Sequence, residues 1–153
     1  VEAASHTQAK LVFYGEGSLK NVLEQKAATL GVSLTFQGKI PNEDLPRALN
    51  QCEVFILPSL YEGNPKVLLE AMACGRPVIG TRVEGIASVI QHQVNGILCE
   101  TDASSIREAI QQLLGHPEKQ TRLGKAARQT ILDTSSLTKA IQTELAVLHQ
   151  FDV

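Results

Sequence analysis

Pro58-Ser59-Leu60-Tyr61-Glu62-Gly63-Asn64-Pro65-Lys66-Val67-Leu68-Leu69-Glu70-Ala71-Met72-Ala73-Cys74-Gly75-Arg76-Pro77-Val78-Ile79 reads as a strand end, a loop, a helix and the start of the next strand. Val54 to Leu57 is a short apolar run of the β type, closed by Pro58. The loop from Ser59 to Gly63 carries a carboxylate, Glu62, beside a glycine that lets the backbone come close to a ligand. Asn64 is a good N-cap, and Pro65 then falls at the first helical position, where its missing N–H costs nothing. The helix is expected to run to about Cys74, with Gly75 as its left-handed C-terminal cap and Pro77 unable to continue it.

Two carboxylates stand in this stretch. Glu62 precedes the helix, and Glu70 lies inside it, about 9 Å along the axis from Asn64 at the usual rise per residue. Glu70 sits among Leu68, Leu69, Ala71 and Met72, so the helix is apolar on nearly every side and expected to be buried. A carboxylate there needs a partner, because burying an unpaired charge is costly. One partner is Lys66, one turn earlier, in the less favourable order and worth a few tenths of a kcal/mol. The other is a ligand whose hydroxyls Glu70 accepts, with the helix N-terminus holding the ligand's phosphates. Both readings are open from the residues alone.

Outward from this stretch, strands alternate with helices. A strand is expected over Leu11–Tyr14, followed by Gly15-Glu16-Gly17 and a helix capped by Ser18 that runs to Leu30 and ends at Gly31. Next come a strand over Ser33–Phe36, closed by Gln37-Gly38, and a short helix from Asn42 or Asp44 to Gln51 with Pro46 in its first turn. After the central helix follow a strand over Val78–Thr81, a short helix over Gly85–His92, a turn at Asn95-Gly96 and a strand over Ile97–Cys99. Asp102 caps a helix over Ala103–Leu114, Pro117 starts one to about Leu132 that Gly124 weakens, and a last helix covers roughly Ser136–His149. The first ten residues are polar and uninformative.

The early strands are continuous apolar runs, the mark of a parallel sheet covered on both faces. Right-handed crossovers then give an α/β fold, a doubly wound, Rossmann-like parallel sheet with helices on both faces. Such sheets bind ligands at the C-terminal ends of their strands. The loops expected there are Gly15–Gly17, Gln37–Ile40, Ser59–Asn64 and Arg82–Gly85.

Composition narrows the partners. The 153 residues suffice for one domain with a core, and 14 basic against 16 acidic side chains leave no basic excess for nucleic acid or an anionic membrane. No apolar run approaches a membrane span, and Val1–Lys10 lacks the build of a signal peptide. Cys52, Cys74 and Cys99 are odd in number and widely spaced, and are expected as buried free thiols in a reducing compartment, the cytoplasm. Tryptophan is absent, which disfavours base-stacking platforms.

Several motifs fail on inspection. Gly15-Glu16-Gly17 is half of a dinucleotide fingerprint, but Lys20 occupies the place of its third glycine, so a tight strand-to-helix turn is the better reading. No phosphate-loop GK[ST] run occurs, and Ser59 lies outside any GxSxG setting. His6, His92, His116 and His149 have no metal-ligand spacing and are read as surface residues.

The central stretch, from Pro58-Ser59 through Glu62–Ala73 to Gly75–Ile79, resembles the retaining, nucleotide-sugar-dependent glycosyltransferases of the GT-B fold, the large group-1 family, whose hallmark is two glutamates separated by seven residues. The likeness extends from about Leu11 to Leu148: Leu11–Gly17 looks like the family's second strand and turn, Val32–Gly38 like its strand ending in glycine, and Asn95–Leu98 like its late turn and strand. The resemblance implies that Glu62 faces the donor sugar's hydroxyls as the catalytic-site glutamate and that Glu70 binds the ribose. It further implies that the backbone of Gly63, Asn64, Pro65, Lys66 and Val67 faces the sugar and diphosphate. Lys39 and Ile40 would lie near the base, and Gly15 and Gly17 would belong to the donor site through the family's turn.

Two departures stand out. Nothing before Leu11 matches the family's opening strand and its phosphate-binding Lys/Arg pair, and no amino-terminal acceptor domain is present in these residues. Glu84-Gly85-Ile86-Ala87-Ser88 keeps one glycine of the family's Gly-Gly-x-x-Glu run and puts serine where its glutamate stands, which leaves the role of that loop open. The expected chain is therefore a single nucleotide-sugar-binding domain, residues 1–153, from a longer two-domain hexosyltransferase-type enzyme, and inactive by itself. Its donor substrate would be a nucleoside diphosphate sugar of the UDP or GDP type, with no resident cofactor and no metal. A non-catalytic nucleotide-sugar-binding or regulatory module is the alternative. A sugar-nucleotide epimerase is a third reading, disfavoured by the spaced glutamates.

Overall fold

The computed structural model describes residues 1–135 together with Lys139, Ile141, Gln142, Leu145 and Ala146. Those five are helical; the rest of the helix expected over Ser136–His149, and the surface reading of His149, lie outside the described residues. Among the described residues five strands occur: β1 Lys10–Phe13, β2 Ser33–Phe36, β3 Phe55–Leu57, β4 Val78–Thr81 and β5 Ile97–Cys99. Up to Thr134, six α-helices alternate with them: α1 Lys20–Leu30, α2 Leu45–Gln51, α3 Lys66–Ala73, α4 Glu84–Ala87, α5 Ala103–Leu113 and α6 Pro117–Thr134.

All strand pairs are parallel, but the hydrogen-bonded ladder is divided. β1 pairs with β2, and separately β3, β4 and β5 form a three-stranded sheet in that order. In the doubly wound order 3-2-1-4-5-6 these halves correspond to 3-2 and 4-5-6. No strand among the described residues takes the place between β1 and β3.

The second half is the doubly wound part in full. β4 is buried along its whole length, and its neighbouring residues feed opposite faces, as successive strand residues must. Val78 joins Leu68 and Met72 of α3, Ile86 of α4, Leu98, and Ala127 and Ile131 of α6 in one core. Ile79 joins Ile97, Cys99 and the α5 residues Ala109, Ile110 and Leu113 in the other, with Leu123 of α6. β3 follows the same alternation: Phe55 and Leu57 pack on the first core, Ile56 on the second. Burying an aliphatic side chain of this size stabilises by about 1.5–3 kcal/mol.

The first half departs from the expected two-sided burial. β1 and β2 each alternate between exposed and half-buried residues. Of the apolar positions on α1, only Ala27 is buried, while Val22, and Leu19 just before the helix, are more than half exposed. An apolar run such as Leu11–Tyr14 states what a strand can bury, not which of its faces finds a cover. The segment expected to be uninformative joins the halves: Glu2–Ala4 is a 3-10 turn whose Ala3 enters the second core and whose Ala4 packs with Ala27 and Val32. The Arg107 guanidinium of α5 holds it by donating to the carbonyls of Glu2 at 2.9 Å and Ser5 at 3.1 Å, and to Ser5 Oγ at 3.0 Å.

Several boundaries move. α1 begins after Leu19 rather than at Ser18, whose side chain makes no capping bond. Asn42–Asp44 is a separate 3-10 turn, and α2 follows with Pro46 in its first turn, where no N–H is needed. α4 is only Glu84–Ala87, because Ser88 Oγ bonds back to the Gly85 carbonyl and buried Asn95 then organises the connection. Asn95, expected as a simple turn residue, is 1% exposed; it accepts from Gln91 N and donates to the Val89 carbonyl and Thr130 Oγ1. Asp102 caps α5 as expected, accepting from Ser105 N at 2.9 Å. His6, His92 and His116 are exposed. The three cysteines are free, with Cys52 and Cys74 half-buried rather than buried. Cys99 is buried; burial, then the neighbouring Glu100 and Asp102 carboxylates, push its thiol up to about 11.

α3 ends as expected: Gly75 has φ +70°, and Arg76 N donates to the Ala71 carbonyl at 3.0 Å. α6 crosses here, and Gly124 explains itself. A Cβ at Gly124 would fall on the Gly75 carbonyl oxygen and lie 3.2 Å from its carbon, so the two backbones approach as only glycine allows. Gly124→Ala is therefore expected to destabilise the fold by about 1–3 kcal/mol, as overpacking does, against the gain of about 1 kcal/mol that alanine brings to an open helix. Urea denaturation measures the sign, and a stabilised variant would contradict the close approach.

Candidate functional site

The site builds from the C-terminal end of β3. Pro58 stops the strand, and Ser59–Asn64 forms an irregular loop leading into α3. α3 begins one residue later than expected: Pro65, not Asn64, is the N-cap, at φ −79° and ψ 65°, and it is buried. Leu68 N and Leu69 N donate to its carbonyl at 2.9 and 3.1 Å. Proline suits this place because its own nitrogen has no hydrogen to leave unsatisfied.

This start sorts the five backbone positions of Gly63–Val67. Pro65 has no N–H, and Lys66 N is taken by the Asn64 carbonyl at 2.9 Å. The N–H groups of Gly63, Asn64 and Val67 donate to no protein acceptor among the described residues. Free N–H groups at a helix start, with the helix dipole behind them, form an anion site.

The two carboxylates flank it. Glu62 is half-buried on the loop; Ser59 Oγ reaches its Oε2 weakly at 3.5 Å, and its carbonyl accepts from Gly85 N at 3.0 Å. Glu70 is half-buried one turn inside α3. Lys66 is exposed, and among the described residues no ion pair or side-chain hydrogen bond engages Glu70. The Lys66 partner that spacing offered is not used.

The remaining predicted residues form a second group. Gly15 N donates to the Gly38 carbonyl at 2.7 Å, and Lys39 Nζ pairs with Glu16 at 3.5 Å, so the loops after β1 and β2 are joined. Gly15 has φ +119° and Gly38 φ +71°, which only glycine adopts without strain. Gly17 and Lys39 are exposed, and Ile40 is half-buried. No hydrogen bond or ion pair joins this group to the Glu62 loop among the described residues. The described residues hold no cluster of three His, Cys, Asp or Glu side chains able to bind a metal ion, and no described helix is long and apolar enough to cross a membrane.

A family model for glycosyl transferases group 1 matches residues 1–130. The chain belongs to the group 1 glycosyl transferases. It is 36% identical over 132 residues to the N-acetyl-alpha-D-glucosaminyl L-malate synthase of Bacillus anthracis, covering 84% of this chain and 34% of that protein. Among solved structures, the sucrose-phosphate synthase of Thermosynechococcus elongatus superposes with a TM-score of 0.85 at 27% identity, over 98% of this chain and 40% of the synthase. Anabaena HepE, solved in complex with UDP-glucose, superposes at 0.84 and 22% identity, over 97% of this chain and 43% of HepE. This group 1 chain thus spans about a third of the length of the curated relative, and its two part-sheets are arranged as in GT-B glycosyltransferases.

Two residues of the group 1 chain escaped the sequence reading. Gly85 N supports the Glu62 carbonyl, and Thr81 Oγ1 donates to the Ser59 carbonyl at 2.5 Å. For Gly85 the signals were its place in the Arg82–Gly85 loop at a strand end and the departure at Glu84–Ser88, which named the loop without giving it a task. For Lys66 and Glu70 the geometry makes a direct prediction. A double-mutant cycle with Lys66→Ala and Glu70→Gln is expected to show no coupling in the ligand-free protein, against the roughly 0.2–0.5 kcal/mol that a formed i,i+4 pair contributes. Urea denaturation of the four proteins checks it.

Proposed function

We propose that the chain is the nucleotide-sugar donor-binding domain of a longer, two-domain glycosyltransferase of the hexosyltransferase type. Its reaction moves a sugar from a nucleoside diphosphate sugar to an acceptor hydroxyl with retention at the transferred carbon. The carrying observation is the start of α3, where the N–H groups of Gly63, Asn64 and Val67 lack protein acceptors between two half-buried carboxylates. In this reading the diphosphate sits on those amides. Glu70 accepts the ribose hydroxyls, and Glu62 faces the hydroxyls of the sugar.

The chemistry asks for little else from this half. Cleaving the bond between sugar and diphosphate builds negative charge on the leaving phosphate, and preorganised N–H donors aimed at that charge stabilise the transition state. Gly15, Gly17, Lys39 and Ile40 form the base-side wall in this reading. The HepE complex with UDP-glucose supports a donor of the UDP-hexose kind, with the GDP type as the other candidate. No resident cofactor is needed, and the acceptor would be positioned by a partner domain.

The two glutamates separate experimentally. Glu70→Gln removes a charge-assisted acceptor worth roughly 1.5–3 kcal/mol, so affinity for the free nucleoside diphosphate is expected to fall about tenfold or more. Glu62→Gln is expected to leave the free nucleotide unchanged and to weaken only its sugar conjugate. Calorimetry of both variants against both ligands reads this out, and equal losses for both ligands at both positions would refute the assignment.

Binding is also expected to survive EDTA, since the diphosphate is held by amides. Transfer is not expected of the 153 residues alone, because aligning acceptor against donor supplies a large part of the rate. A product assay with UDP-glucose and GDP-mannose tests the second point, and loss of nucleotide binding on chelation would redraw the phosphate site.

A further inference from the structure

The loop bearing Glu62 has no regular structure, yet the beginning and end of its Ser59–Glu62 segment are tied to residues about twenty positions downstream. At its beginning, the Ser59 carbonyl accepts from Thr81 Oγ1 at 2.5 Å, and the same hydroxyl lies 3.5 Å from the Leu57 carbonyl. Thr81 is 1% exposed at the C-terminal end of β4, so its hydroxyl has no water to fall back on. At its end, the Glu62 carbonyl accepts from Gly85 N at 3.0 Å. Gly85 is buried, and a Cβ there would land on the Glu62 carbonyl oxygen, 2.8 Å from its carbon and 2.9 Å from the Gly63 oxygen.

Gly85 does not have the positive φ that would require glycine by conformation. Its missing side chain serves only the close approach to Glu62 and Gly63. α4 cannot retreat to make room, because Ile86, beside Gly85, is fully buried against the bare Cα of Gly80 in β4. Gly85 O is fixed as well, by Ser88 Oγ at 2.9 Å.

We infer that Thr81 and Gly85 are positioning residues, forming a two-point backbone clamp that sets the place of the Glu62 carboxylate beside the α3 N-terminus and thereby the preference for a sugar-bearing nucleotide over the bare diphosphate. The inference rests on the reading of Glu62 as the sugar-facing carboxylate. The clamp touches the loop only between Ser59 and Gly63, while Glu70 and Val67 belong to α3, which is anchored independently by Leu68, Ala71 and Met72 in the core. Loosening the clamp therefore moves Glu62, and with it the Gly63 N–H of the same peptide, and leaves Val67 and the ribose side in place.

The test uses Gly85→Ala, Thr81→Val and Thr81→Ser, each first checked by urea denaturation for a cooperative fold. Calorimetry against UDP and UDP-glucose gives the ratio of the two affinities. Gly85→Ala and Thr81→Val are expected to lower the preference for UDP-glucose over UDP about tenfold, with UDP itself weakened by the smaller share that the Gly63 N–H, in the same peptide as the Glu62 carbonyl, contributes. Thr81→Ser, which keeps the hydroxyl, is expected to restore the wild-type ratio. Equal loss of both ligands, or no change in the ratio, overturns the inference.

A ligand-free readout separates this from failure of the site reading itself. Amide hydrogen exchange at Gly85 is expected to be protected in wild type and Thr81→Ser, and to lose protection about tenfold or more in Thr81→Val, because the loop that supplies its acceptor has been released. If no nucleotide binds the wild type but this exchange pattern holds, the clamp stands and the donor-site reading falls. Unchanged protection in Thr81→Val removes the clamp whatever binds.

Discussion

Burial of β4 on both faces constrains everything around it. A strand without solvent on either side must have helices over both its surfaces, and its alternating residues decide which helix belongs to which core. Val78 draws α3, α4 and α6 to one side, and Ile79 draws α5 to the other. With α3 pinned by Leu68, Ala71 and Met72, its N-terminus has one place to be: beyond the C-terminal end of β3, where open α/β sheets bind ligands.

Close backbone approach is the second organising device. At Gly124 the axis of α6 comes down onto the end of α3, and at Gly85 the start of α4 comes up against the Glu62 loop. Both join segments far apart in sequence through main-chain atoms, which rotamer changes cannot relax. Such joints suit a site whose carboxylates must hold position. They also link stability and recognition, since the helix that presents the N–H groups is the one that α6 covers.

The charges of the site are arranged sparingly. Lys39 is engaged by Glu16, and Lys66 stands exposed and apart from Glu70. The positive potential at the start of α3 comes from main-chain N–H groups and the helix dipole, to which the exposed Lys66 adds a solvent-screened charge. Main-chain donors have fixed geometry and lose no side-chain entropy on engaging a phosphate, which fits the proposed role in holding a diphosphate through its departure.

Local chemistry made much of this legible in the sequence. The α3 helix with its glycine stop, the β4 run and the Asp102 cap each depend on residues within a turn or two of one another, and the residues alone determined them. The group 1 resemblance was carried by the same local order. The start of α3 slipped by one residue because tertiary packing, which buries Pro65, overrode the local preference for Asn64 as the N-cap. Only the tertiary structure decided that Asn95 is a buried bridge to α6, that residues 2–5 dock on Arg107, that β1 and β2 stand apart from the three-stranded sheet, and that Thr81 and Gly85 support the Glu62 loop. These depend on contacts between residues from 22 to 105 positions apart, and a hydrogen bond over such a distance leaves no periodicity in the chain, because its partners are set by how the layers stack and not by what lies beside them in sequence.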